Sequence, residues 1–302
     1  LAISGISVSD VDAASGSVNV TLAVTNGTLT VLSAGGATVA GSGTATVTLT
    51  GTFAQINTTL SAAGNVVYRG TANFNGSDTL TVTANDGGNT GSGGALTDTK
   101  TVAITVNPVN DAPVVTVPGA QTVNEDTNLA ISGISVADVD AASGSLTVTL
   151  AVANGTLTIL SAGGATVAGS GTTSVTLTGT LAQVNTTLSA ASNVVYRGSL
   201  NFNGSDTLTV TANDGGNTGS GGALTDTKTV AITVTAVNDA PVVTVPGGQT
   251  VNEDTNLAIS GISVSDVDAA SGSVTVTLSV VNGTLSIGAV VGGASVTSSG
   301  TA

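Results

Sequence analysis

Apolar and polar residues alternate with a period of two along most of the chain. Leu146-Thr-Val-Thr-Leu-Ala-Val is one such run and Thr156-Leu-Thr-Ile-Leu another, and this alternation marks strands that bury one face. Asn154-Gly155 between them predicts a hairpin closed by a type I′ turn. Further strands are predicted at 174–177, 193–196, 207–212 and 227–235. One stretch breaks the period: Thr180-Leu-Ala-Gln183 matches a capping box, with Leu181, Val184 and Leu188 on one face of a short helix. Seven or so short, β-branched strands in about 125 residues predict an all-β fold, a two-sheet Ig-like sandwich with Greek-key connections.

The whole pattern recurs after 128 residues. LAISGISVSDVDAASGS at Leu1 returns as LAISGISVADVDAASGS at Leu129 and unchanged at Leu257, and only 14 of 108 positions differ between 1–108 and 129–236. A β-solenoid would show a period of about 20–30 residues, and no self-similarity shorter than 128 is present. The joint between units is VNDAPVVTVP, at Val109–Pro118 and Val237–Pro246, where Asn-Asp and X-Pro favour a turn followed by extended chain. The expected organisation is a unit at 1–108 without its first strand, a complete unit at 109–236 and the front part of a third at 237–302, joined end to end in a rod. Tyr196 and Phe202 are the expected anchors of a small-residue core.

Eighteen acidic residues face four basic ones, and Cys, His, Met and Trp are absent. That balance argues against nucleic acid and anionic membranes as partners. Without His or Cys, catalytic triads, thiol chemistry, disulfides and the usual zinc or haem ligation are excluded. No run approaches the ~18 apolar residues of a membrane span, and Leu1–Asp10 lacks the basic region of a signal peptide, so export is expected to be directed from outside this sequence. With five aromatic residues there is little to grip a sugar for glycoside hydrolysis. An enzyme is not expected.

All 18 carboxylates fall into repeat-related classes: Asp10/138/266, Asp12/140/268, Asp78/206, Asp86/214, Asp98/226, Asp111/239, Glu125/253 and Asp126/254. Only Asp98 and Asp226 stand in strands beside a base, Lys100 or Lys228. The rest occupy turns or joints. Oxygen-rich clusters without compensating Lys or Arg suit a hard cation such as Ca²⁺. In an elongated sandwich the Asp138-Val-Asp140 turn and the Asp214 turn sit at the end where the linker Asn110-Asp111 enters. Glu125 and Asp126 point to the far end, toward Asn238-Asp239, with Asp206 as their companion. The Gly-rich 214–222 stretch is expected to be a flexible loop.

Glu early in the first strand, an Asp-X-Asp turn, an Ala-X-Asp-Gly turn and an Asn-Asp-X-Pro linker resemble cadherin calcium motifs. TyrArgGly through AsnPheAsnGlySerAspThrLeuThrValThrAlaAsnAspGlyGly to ValAsnAspAlaPro is more similar still to bacterial cadherin-like tandem repeats of large secreted adhesins. The resemblance implies Ca²⁺ at each joint. Asn110, Asp111, Asp138, Asp140 and Asp214 would serve the first; Glu125, Asn238, Asp239, Asp266 and Asp268 the second; Asp126, beside Glu125, and Asp10, Asp12 and Asp86, the first unit's counterparts, complete the candidate metal residues. The Asp-Arg-Glu motif of animal cadherins is missing, and the linker reads Asn-Asp-Ala rather than Asp-X-Asn-Asp-Asn, so fewer ions per joint are implied. The expected role is an extracellular, calcium-rigidified stalk at a bacterial cell surface, partnered by neighbouring repeats of its own chain. The alternatives are a homopolymeric filament or sheath subunit, completed by strand addition between copies, and a module binding a carbohydrate or protein surface ligand.

Overall fold

A computed structural model describes residues 1–11, 15–89, 92–288 and 291–297. Its content is β with two short helices. Within 109–236 the larger sheet has six strands in the order Gln121–Asn124, Thr225–Thr235, Gly204–Asn213, Ser145–Ala151, Ser174–Thr180, Thr166–Ala168. All its pairings are antiparallel except the first, where Gln121–Asn124 runs parallel to Thr225–Thr235. Against it stand the three strands Asn128–Ala130, Val195–Gly198 and Gly155–Thr158, and the pair Val114–Thr116 with Ser135–Ala137. Several of these have only three or four residues, too short to display an alternation that sequence could reveal.

The period of two does what it should. Leu146, Val148 and Leu150 are buried while Thr147 and Thr149 face outward. Leu157, Ile159 and Tyr196 meet them from the opposite sheet in one core, each apolar side chain contributing about 1.5–3 kcal/mol by leaving water. Phe202 packs half-buried at its margin. Among the described residues of 1–106, a five-stranded sheet and a three-stranded one repeat part of this arrangement around a core of their own, without the parallel edge strand and the two-stranded pair. In 237–302 the strands are Val242–Thr244 and Ser263–Ser265, paired antiparallel, and among the described residues there no apolar side chain is buried.

Asn154-Gly155 is not a hairpin turn. The strands it joins, Ser145–Ala151 and Gly155–Thr158, belong to opposite sheets and do not pair, and neither residue takes the positive φ that type I′ needs. The glycine is there for room. A Cβ at Gly155 would collide with the carbonyl of Arg197 and come 2.7 Å from the Tyr196 ring.

The helix Leu181–Ser189 opens on its capping box. Gln183 N–H donates to Thr180 Oγ1 at 3.3 Å, and Thr180 N–H donates to Gln183 Oε1 at 2.9 Å. Val184 and Leu188 enter the core and Leu181 packs against it. From the same helix, Asn185 clasps the backbone of Val136: Val136 N–H donates to Oδ1 at 2.9 Å, and Nδ2 donates back to the carbonyl at 2.7 Å. That clasp fixes the strand leading into Asp138.

Candidate metal centre

Beyond Val136 the chain turns on Asp138, whose Oδ1 accepts the N–H groups of Asp140 at 3.1 Å and Ala141 at 3.0 Å. Asp140 Oδ2 accepts the N–H of Asp111 at 3.0 Å, which ties the linker to the turn. Each carboxylate therefore spends one oxygen on backbone. The other two, Asp138 Oδ2 and Asp140 Oδ1, are buried without a hydrogen-bond partner. Burial, and after it the neighbouring Asp140 carboxylate, raises the pKa of Asp138 above the ordinary value.

Two orphaned anionic oxygens, side by side and hidden from water, are costly unless a proton or a cation joins them. The raised pKa sets the sign of the pH response. A carboxyl whose pKa is higher folded than unfolded penalises the folded state once ionised, so its cost is absent below the unfolded value of 3.8 and complete above the folded one. In chelator, the contribution of Asp138, faced by Asp140, is expected to stabilise the protein as pH falls through its raised folded value toward 3.8. Calcium should bind more weakly over the same range because protons compete for Asp138. Melting curves in chelator and calcium across these pH values check both signs.

Asp214 lies at the same end and is almost fully buried. Its Oδ1 accepts Gly216 N–H and Leu224 N–H, both at 2.8 Å, and its Oδ2 accepts Asn110 Nδ2 at 2.6 Å. Burial pushes its pKa up, but these donors outweigh it and the net shift is downward. The loop that follows, expected to be flexible, is instead tied down. Asn217 Nδ2 donates to the Ser145 carbonyl, Ser220 N–H donates to the Pro108 carbonyl at 3.1 Å, and Thr218 Oγ1 donates to the Asp140 carbonyl.

The opposite end gathers the second group. Glu125, buried, accepts Val237 N–H on Oε1 at 2.6 Å and Asn203 Nδ2 on Oε2 at 3.3 Å. Asp126 Oδ1 accepts Asn201 N–H at 3.1 Å. Asp239 N–H donates to Asp268 Oδ2 at 2.8 Å, and Asp266 Oδ1 accepts Asp268 N–H at 3.2 Å, as at the first joint. Desolvation, then the charges of Asp126, Asp268, Glu125 and Asp266, raise the pKa of Asp239. Asn238 is exposed and donates to its neighbour's carbonyl, Asp239 O, at 3.0 Å.

Asp206 lies at this far end too, but its oxygens face inward, accepting Ala153, Asn154 and Thr207 N–H with the Tyr196 hydroxyl 3.0 Å away. In the first repeat Asp10 is half-buried, and Asp86 Oδ1 accepts Gly88 and Leu96 N–H at 2.9 and 2.8 Å. Asp12 lies outside the described residues. Among the described residues no three acidic side chains are drawn into a closed metal cage. Asn201, Asn203 and Thr218 were not anticipated as parts of these sites. Asn and Thr fill most turns here, and only proximity in the fold singles these three out.

No protein-family model and no curated protein matches this sequence. Among solved structures, a mouse cadherin-23 crystal structure spanning EC22–24 is similar at 16% identity and a TM-score of 0.32, over 74% of this chain and 56% of that one. Mouse protocadherin-24 EC1–3 gives 20% and 0.28, over 71% and 58%, and the titin domains z1z2 in complex with telethonin give 15% and 0.20, over 72% and 83%. The chain thus spans little more than half of the two cadherin structures. Overlaps this loose carry no argument about function, and the sandwich rests on the strand pairing described above.

Proposed function

We propose that these units are spacer repeats of a large extracellular bacterial surface protein, stiffened at their joints by calcium. The observation that carries the reading is the pair of buried, unpartnered oxygens on Asp138 and Asp140, placed where the linker residue Asp111 is already bonded to the turn. The donor chemistry fits the ion. Only oxygens are offered, no Lys or Arg stands in the linker, and carboxylates with backbone and side-chain carbonyls are the ordinary ligands of Ca²⁺. Asp138, Asp140 and Asp111 would hold it at the first joint, and Glu125, Asp126, Asp239, Asp266 and Asp268 form the candidate set at the second. The ion would supply positive charge that cancels the repulsion between the carboxylates of a joint.

Near-identical repeats suit this work. A spacer needs each unit to do the same thing, whereas a dedicated binding or catalytic site needs one unit that differs. Only the 288–302 stretch departs from the repeat pattern, and residues 289–290 and 298–302 within it lie outside the described residues.

Calorimetric titration with calcium tests the reading. Binding is expected in the 10⁻⁴–10⁻³ M range, roughly that of extracellular modules. At a hundredfold excess over Kd the gain would be about 2.7 kcal/mol, or roughly 10 °C in melting temperature for a unit of this size. No heat of binding, with identical melting in calcium and chelator, would overturn the calcium assignment.

A further inference from the structure

We infer that Asp214 is the hub of a latch that grips the incoming linker without metal, and is not itself a calcium ligand. The ligand half of this inference rests on the calcium reading; the latch half stands independently of it.

The latch is built from both sides. The loop contributes Asp214 Oδ2 and the Gly222 carbonyl, which accept the two protons of Asn110 Nδ2 at 2.6 and 3.0 Å. Backbone bonds then lock the strands of the contact: Asn110 N–H donates to Ser220 O at 2.9 Å, Ser220 N–H to Pro108 O at 3.1 Å, and Val109 pairs with Ser220 in a parallel bridge. Asn110, a linker residue, is buried by this embrace. Gly219 shows how close the approach is. Its φ is +78°, and a Cβ there would stand 2.7 Å from Val109 C and 2.8 Å from Asn110 N. Gly219 thus serves contact rather than looseness.

Asp214 has little left to offer an ion. One oxygen is shared by two backbone donors and the other lies under the Asn110 amide. Asp138 and Asp140 differ in kind, each keeping an oxygen with no donor. The two ends of the linker contact are therefore chemically divided, with a neutral amide lock at Asp214 and an uncompensated charge pair at Asp138 and Asp140.

The test combines amide hydrogen exchange in chelator with calcium titration, on the 302-residue chain and its Asn110→Ala, Asp214→Asn and Asp138→Asn variants. In the parent chain, the N–H groups of Asn110 and Ser220 should be protected in chelator. Asn110→Ala should lower that protection about tenfold or more, as loss of a charge-assisted hydrogen bond implies, and leave the calcium Kd within about threefold. Asp138→Asn should weaken calcium at least tenfold and keep the protection. Free exchange at Asn110 and Ser220 in the parent chain would overturn the latch. Loss of calcium binding in both Asn110→Ala and Asp214→Asn, equal to that in Asp138→Asn, would overturn the exclusion of Asp214 as a ligand. If the parent chain binds no calcium, the functional reading falls and the latch is judged by exchange alone.

Discussion

Asp138→Asn is expected to abolish the calcium-induced rise in melting temperature at the first joint and, in chelator, to make the protein more stable than its parent. The two effects have one cause. The amide keeps the carbonyl oxygen that accepts Asp140 and Ala141 N–H, and it puts a neutral N–H donor in place of the unpartnered Asp138 Oδ2, beside the Asp140 carboxylate. One like charge disappears and a buried anionic oxygen is replaced by a donor beside a carboxylate, worth on the order of 1 kcal/mol. The same change removes an anionic ligand, so calcium loses its hold. A residue that served only the turn would behave otherwise, since its replacement would cost stability with and without calcium. Melting curves of parent and variant in both conditions decide between the two, and lower stability of the variant in chelator would remove the argument from buried repulsion.

The parts of this fold set by local chemistry were legible in the sequence. The capping box at Thr180 and Gln183 and the alternation through Leu146–Leu150 both reappear as expected, because each depends on residues a few positions apart. Asn154-Gly155 misled for an instructive reason. A two-residue turn signal describes what the backbone can do locally, but here Asp206, some 50 residues away, captures the N–H groups of Ala153 and Asn154 and carries the chain across to the other sheet. Asp206 itself reads in sequence as one more turn carboxylate. Nothing near it along the chain reveals that its oxygens point inward. The Gly-rich 214–222 stretch is a similar case: its composition points to flexibility, but its ordered contact with Pro108–Asn110 is set by a segment about a hundred residues earlier.

For the joints, sequence conveyed which end of the sandwich each acid occupies, since strand order and alternation determine that. It did not convey which oxygens are already taken. Asp138, Asp140 and Asp214 are alike as letters, and only hydrogen-bond accounting separates two half-used carboxylates from one fully used. A candidate metal centre is therefore better defined by its unpartnered oxygens than by its count of acids.

The largest single loss of stability is expected at Asp206→Ala, a residue far from the Asp138–Asp140 pair. The carboxylate is buried and accepts Ala153 N–H at 3.1 Å, Asn154 N–H at 2.9 Å and Thr207 N–H at 2.7 Å, with the Tyr196 hydroxyl at 3.0 Å. Alanine leaves these donors unanswered beside a small cavity, at a cost of about 3–5 kcal/mol out of the roughly 5–15 kcal/mol that holds a domain together. Tyr196→Phe, which removes one donor and leaves the acceptor satisfied, should cost only about 1 kcal/mol. The first repeat carries the same device. Asp78 holds Thr25, Asn26 and Thr79 N–H, and its Tyr68 partner is pushed up to about 12 by burial and then by the carboxylate. Burial raises the pKa of Asp78 itself, but its donors outweigh that and hold it below 3.8. Its contribution is therefore present above 3.8 and lost only as pH falls through the lower folded value, opposite in sign to Asp138. Because the two cores are built from separate sets of residues, Asp206→Ala should split denaturant unfolding into two steps. The early step should report Tyr196 and the late one Tyr68, and Asp78→Ala should reverse the order. A single transition, shifted by less than the equivalent of about 1 kcal/mol, would mean that the buried carboxylates are not what fastens the sheet-to-sheet crossing.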